Sequence, residues 1–224
     1  MTFEELISEL KNNSAKSIIM YKKIINTNYD VFGVNVPKLK EISRKCIDLD
    51  FSNVEFKYYE VVFVYFYSQL YKYRNDLKKQ LDFIHKNSYL IDSWAITDST
   101  VQLLKGITLN EVIWFLNQES EFEIRYGYVA LLYFSKDKKN LDFIFNSLKN
   151  DDRYYVFMAE AWLISYCFIY HFEETYNFIN LADLDLNLKI KGIQKSVESF
   201  RVSKENKEKL KKLRQEFRLK QREQ

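Results

Sequence analysis

The sequence predicts an all-α fold built from successive paired helices, and three observations predict it. The 224 residues include only 4 Gly and 1 Pro, where average usage gives about 16 and about 11. Sandwiches, barrels and glycine-rich phosphate loops all need more turn residues than that. Apolar residues recur with a period near 3.6 through most of the chain, the mark of helices with one buried face. Finally, 47% of the residues are hydrophobic and 17% aromatic, which excludes a disordered polymer poor in both.

Taken in order, the first helices fall at 3–13 and 15–25, the first being amphipathic through Phe3, Leu6, Ile7 and Leu10. A loop follows from Asn26 through Asp30 to Gly33, whose permissive backbone suits a turn. Pro37 opens a helix over 37–48, because the first turn tolerates its missing N–H. Further helices are expected at 52–72, 76–88, 92–105, 109–118, 121–135, 140–149, 153–170, 172–180, 186–200 and 204–218. Their breaks lie at Asp50-Phe51-Ser52, Lys105-Gly106, Ser135-Lys136-Asp137 and Asn150-Asp151-Asp152. None looks like a domain linker, so residues 1–224 read as one domain, with 204–224 a basic C-terminal helix or tail.

Paired helices with short loops point to an α-solenoid. HEAT and armadillo units repeat at about 40–47 residues and stack so that inner helices form one concave surface. A plain helical bundle is the competing architecture.

The formal net charge of +3 hides an asymmetry. From Lys189 to Gln224 there are 13 basic and 5 acidic residues, a net of +8; the first 188 residues carry 21 and 26, a net of −5. Two readings fit the basic end: a solvated helix with Lys–Glu pairs one turn apart, or an electrostatic footprint for a polyanion.

Several function classes recede. No uninterrupted apolar run exceeds the seven residues of Val61 to Tyr67, far below the ~20 that span a bilayer, and the opening amphipathic helix does not show the charged n-region and apolar h-region of a signal peptide. Cys46 and Cys167 form no C-x-x-C and read as thiols of a reducing cytoplasm. Cys167 and His171 lie four apart, but a metal site needs more ligands and a Cys–His nucleophile needs a third, orienting group.

The residues that stand out are Trp94 and Asp98, four apart and so on one helix face. They pair a carboxylate with an electron-rich ring, a combination that suits a cation. Equally, Trp94 fits as core and Asp98 as a cap. Arg125 follows Trp94 by 31 residues and Trp162 follows Arg125 by 37, near-repeat intervals that would bring all four to inner helices of adjacent units. Arg125 sits in an aromatic helix, where it needs a partner or water. Gly127 beside it signals either close helix packing or close approach of a ligand.

These residues, in this order, carry a family likeness. With the stretches 33–40, 92–99, 125–127, 152–162 and 193–203, the chain resembles the AlkD-like DNA alkylation repair proteins, HEAT-like-repeat DNA glycosylases. The likeness runs from about residue 33 to about 203; no single motif is specific, and the ordered set is.

The resemblance implies a monomeric, cytoplasmic base-excision enzyme that removes N3- and N7-alkylated purines from double-stranded DNA without metal or cofactor. It implies that this happens without flipping the base into a pocket, unlike most glycosylases. It assigns Trp94, Asp98 and Trp162 to catalysis and Arg125 to the backbone beside the lesion. Lys189, Lys191, Lys195 and Arg201 would grip further phosphates, and Tyr21 is the candidate for an N-terminal aromatic contact. One departure is Ser165, where family enzymes can carry an Arg one turn after the second Trp. Another possibility within the superfamily is a protein that has lost glycosylase activity and binds DNA or unusual DNA structures.

The chemistry is consistent with the residues. An alkylated purine already carries positive charge, so the leaving base needs no general acid and the scarcity of histidine is no obstacle. Asp98 would stabilise the oxocarbenium charge developing on the sugar and position the attacking water. Trp94 and Trp162 would flank the sugar.

Overall fold

The computed structural model describes residues 1–223; Gln224, the last residue of the expected C-terminal tail, lies outside them. Among the described residues the chain is all α-helix with short 3-10 turns and one isolated bridge, and no helix is long and apolar enough to cross a membrane. It divides into two compact units, Met1–Leu109 and Asn110–Gln224.

The first unit holds α1 (Phe3–Asn12), α2 (Ile18–Ile25), α3 (Val36–Lys45), α4 (Tyr59–Lys72), α5 (Leu77–Asn87) and α6 (Trp94–Thr100). Local chemistry sets the helix starts. Thr2 and Glu5 close a capping box on α1, and the Asn35 side chain accepts from the Lys38 N–H with Pro37 in the first turn of α3. α4 packs on α3, α5 and α6. Tyr59, Phe63 and Phe66 are fully buried along it.

Several expected boundaries move, and the two largest shifts of a helix start have visible reasons. α2 begins at Ile18 rather than 15, because the Ala15 N–H is drawn to the Phe32 carbonyl. α4 begins at Tyr59 rather than 52. Residues just before it run extended instead, with the Asp30 N–H on the Lys57 carbonyl and the Tyr59 N–H on the Asp30 carbonyl. The loop they pair with is held from below by Glu60, whose buried carboxylate accepts the N–H groups of Phe32, Gly33 and Val34 at 3.0, 2.7 and 3.3 Å. Gly33 is obligatory here: its φ is +83°, and a Cβ would lie 2.7 Å from that of Ala15.

The second unit contains α7 (Leu109–Leu116), α8 (Glu121–Phe134), α9 (Leu141–Asn146), α10 (Tyr154–Tyr170), α11 (Phe172–Leu181), α12 (Leu186–Glu198) and α13 (Lys204–Arg222). α10 is its spine, packed by α8 on one side, α12 on the other and α11. α13 lies on α12 and buries one stripe, Leu210, Leu213 and Phe217, leaving its charged residues in water. Close approach is built in by glycine. A Cβ at Gly192 of α12 would meet Ile164 of α10 at 2.6 Å, and one at Gly127 of α8 would meet Leu116 of α7 at 2.9 Å. Of the two explanations for Gly127, helix packing is the one the structure supplies.

Candidate functional site

In the first unit the candidate residues sit on α6. Its N-cap is Ser93, whose hydroxyl accepts from the Ala95 N–H and donates to the Ile25 carbonyl. Asp92, just outside, accepts from the Thr27 hydroxyl at 2.7 Å and the Asn28 N–H at 2.7 Å, fastening the loop after α2. Both residues are structural, and they fix the start of a helix whose remaining positions are nearly all interior. Ala95, Ile96, Thr97, Ser99 and Thr100 are buried; only Trp94 and Asp98 keep partial access to solvent. One turn apart, they share a face, and Asp98 lies in the second turn, where it does not cap α6.

Trp94 is not a simple core residue either. Its indole N–H reaches the Ile24 carbonyl at 3.4 Å, setting the ring against the last turn of α2. That helix also carries Tyr21, half-buried, whose hydroxyl donates to the Val34 carbonyl at 2.7 Å and whose ring meets Tyr59 edge-on at 6.5 Å. Tyr59 was not singled out by the sequence. It is fully buried and its hydroxyl makes no hydrogen bond in the structure. Burial raises its pKa well above the usual phenol value, and the charges of Glu60, Asp92 and Asp98 add to the effect of neighbouring Tyr21. Asp98 is thus one of three carboxylates whose charge reaches the Tyr59 hydroxyl, a phenol that burial keeps neutral.

In the second unit the candidates divide into two groups. Trp162 is half-buried on α10, one turn before Tyr166 and edge-on to it at 5.8 Å. Together with Tyr166, Lys195, Glu198, Ser199 and Arg201 it lines an open cleft of about 300 Å³ between α10 and the end of α12. The Arg201 guanidinium lies over the Tyr170 ring at 4.7 Å and the Tyr166 ring at 5.4 Å, and the residue is exposed. Lys195 forms an ion pair with Glu198 at 3.7 Å. Lys191 is half-buried on α12. Ser165, where an Arg was a possibility, is buried.

Arg125 and Lys189 go elsewhere. Arg125 is only 5% exposed and donates from Nη1 to the Tyr155 carbonyl at 2.7 Å, bracing α8 against the first turn of α10. Lys189 is 6% exposed; its ammonium caps the Ala182 carbonyl at the end of α11 and lies 5.1 Å from the Phe217 ring. Both were expected to hold phosphates. A buried cation committed to a carbonyl is poorly placed for that, because reaching a phosphate would expose apolar neighbours and abandon its hydrogen bond.

The Cys167–His171 pair does not form a reactive centre. Cys167 is buried in α10, burial pushes its thiol up to about 12, and the His171 ring stands 3.1 Å from the Ser135 carbonyl.

No protein-family model matches the chain, and comparison with curated proteins and with solved structures finds no match.

Proposed function

We propose that the protein is a DNA glycosylase that releases positively charged N3- and N7-alkylated purines from duplex DNA. The observation that carries this reading is the composition of α6, a helix buried at five of seven positions that keeps solvent access at Trp94 and Asp98 alone. An indole and a carboxylate one turn apart, backed by Glu60, Asp92 and two phenols, make a small field suited to a developing cation. The family likeness supplies the cation's identity: an oxocarbenium-like sugar, formed as an already charged base departs.

In this reading Asp98 stabilises the sugar cation and orients water on the face opposite the leaving base. Trp94 shields that cation and offers its ring. The family likeness assigns the second ring to Trp162, and Tyr21 is carried by α2, the helix whose Ile24 carbonyl takes the Trp94 indole N–H. Backbone grip falls to Arg201, Lys195 and Lys191, with Arg125 and Lys189 serving as braces for the helices that carry the site. The row of α8, α10 and α12 packed side by side in the second unit is what stacked HEAT-like repeats present.

A catalytically silent DNA-binding protein is the second reading. The withdrawal of Arg125 into the interior favours it, since the basic cleft at Trp162 would bind DNA without help from Asp98. Incubation of methylated duplex DNA with the protein, followed by chromatography of free bases, separates the two. Release of 7-methylguanine or 3-methyladenine supports the glycosylase, and salt-sensitive binding without release supports the silent binder.

A further inference from the structure

The connection between α12 and α13 presents a side chain that packing does not explain. α12 ends at Glu198, Ser199 turns the backbone extended, and Ser203 caps α13 by accepting from the Asn206 N–H. Between them the corner is fastened: the Arg201 N–H donates to the Ser199 hydroxyl at 3.2 Å, and Val202 is buried. Phe200 stands out from this short, anchored corner and is 102% exposed, the most exposed large apolar side chain among the described residues. An isolated surface apolar residue is ordinary. This one differs in its setting. Its chain neighbours Ser199 and Arg201 line the cleft of Trp162, Lys195 is on the same wall, and Lys204 follows at the start of α13. The one acidic group lining that cleft, Glu198, is engaged by Lys195 at 3.7 Å and by the Gln194 amide at 2.9 Å.

An exposed ring on an anchored corner, next in sequence to Arg201 and close to Lys204, is poorly suited to an apolar protein groove and well suited to a polyanion whose interior is apolar. We propose that Phe200 is a wedge that inserts between stacked bases of duplex DNA while Arg201 and Lys195 hold the flanking phosphates. Proteins that kink DNA use Phe in this way, offsetting the unstacking cost with the contacts that a bent duplex allows. The Tyr166 and Tyr170 rings support the Arg201 guanidinium, so its charge is presented at the cleft from a defined position. The inference rests on the DNA-binding part of the proposed function and extends it, naming a side chain that would enter the base stack.

The test uses the full chain and a 20-base-pair duplex carrying a 2′-fluoro-7-methylguanine, which resists release, with 2-aminopurine at the neighbouring step. Unstacked 2-aminopurine brightens. The expected result is brightening on saturation with wild type, its loss with Phe200→Ala alongside about tenfold weaker binding, and partial retention with Phe200→Leu. Phe200 touches no core residue through its exposed ring, so both variants should keep the wild-type circular dichroism and melting profile. Binding by wild type without brightening, or brightening that survives Phe200→Ala, overturns the wedge and leaves the DNA reading standing. A wild type that does not bind the duplex at all overturns both. Phe200→Ala that changes only the sedimentation of the free protein assigns the ring to self-association and also overturns the wedge.

Discussion

Glu160 and Glu60 show how single residues hold this structure. Each is a fully buried carboxylate on a central helix that gathers the backbone N–H groups of a loop. Glu160 accepts from the Lys149 and Asp151 N–H groups and from the Tyr128 hydroxyl. For both, burial raises the pKa above the ordinary carboxylate value, outweighing the donors that pull it down. A folded-state pKa above the unfolded one means that the folded protein holds the proton more tightly. The stability this supplies is present in full below the unfolded carboxylate pKa and is lost as pH rises through the raised value. Urea midpoints from pH 4 to pH 8 should therefore give Glu160→Gln a smaller deficit, relative to wild type, at pH 8 than at pH 4. A constant deficit would contradict the raised pKa.

The same scale explains which placements of the candidate residues could be read from the sequence. That Trp94 and Asp98 share a helix face was legible from their spacing alone, since four residues in a helix return to one face. The burial of Arg125 and Lys189 was not legible, because a Lys or Arg in a sequence carries no sign of the carbonyl waiting for it across a helix contact. Tyr59 and Phe200 were missed for opposite reasons. Tyr59 reads as one more aromatic in an apolar run, whereas Phe200 is turned outward only by α12 ending at Glu198.

At the scale of elements, the fold was largely readable. The thirteen expected helices are all present, with starts marked by Thr2, Asn35–Pro37, Asp185 and Ser203. The early start given to α4 failed because a helical period was extended into a segment that pairs with the Asp30 loop. α10 resisted finer reading because it is apolar almost all round, so nothing in its sequence marks the side on which Trp162 and Tyr166 reach solvent. Its contact with α12 depends on Gly192. Replacing Gly192 with Ala should force α12 off Ile164 and lower the unfolding free energy by roughly 1–3 kcal/mol. Chemical denaturation measures this directly, and a neutral substitution would show that the two helices part easily.

For the whole molecule, a net charge of +3 conveyed nothing, and the division into a net −5 body and a net +8 end conveyed more. The structure refines that division again, because much of the basic end is engaged locally. Lys189 is buried, and Lys209 and Lys211 pair with glutamates of α13 or α11. Arg201 and Lys195 are the basic residues gathered at the Trp162 cleft. If they contact phosphates, Lys195→Ala with Arg201→Ala should weaken binding to undamaged duplex DNA and reduce the slope of log affinity against log salt by about 2. A slope that does not change would remove the cleft from the DNA interface.

The central claim is that Asp98 stabilises a sugar cation during base release. Single-turnover release of 7-methylguanine from methylated duplex DNA, compared between wild type and Asp98→Asn at equal DNA occupancy, tests it most directly. The substitution keeps the size of the side chain and removes its charge. The predicted result is a rate lowered by roughly 10²–10³-fold with binding and melting temperature preserved, the usual cost of deleting a group aimed at transition-state charge. Equal rates for the two proteins, or no release by wild type, would contradict it.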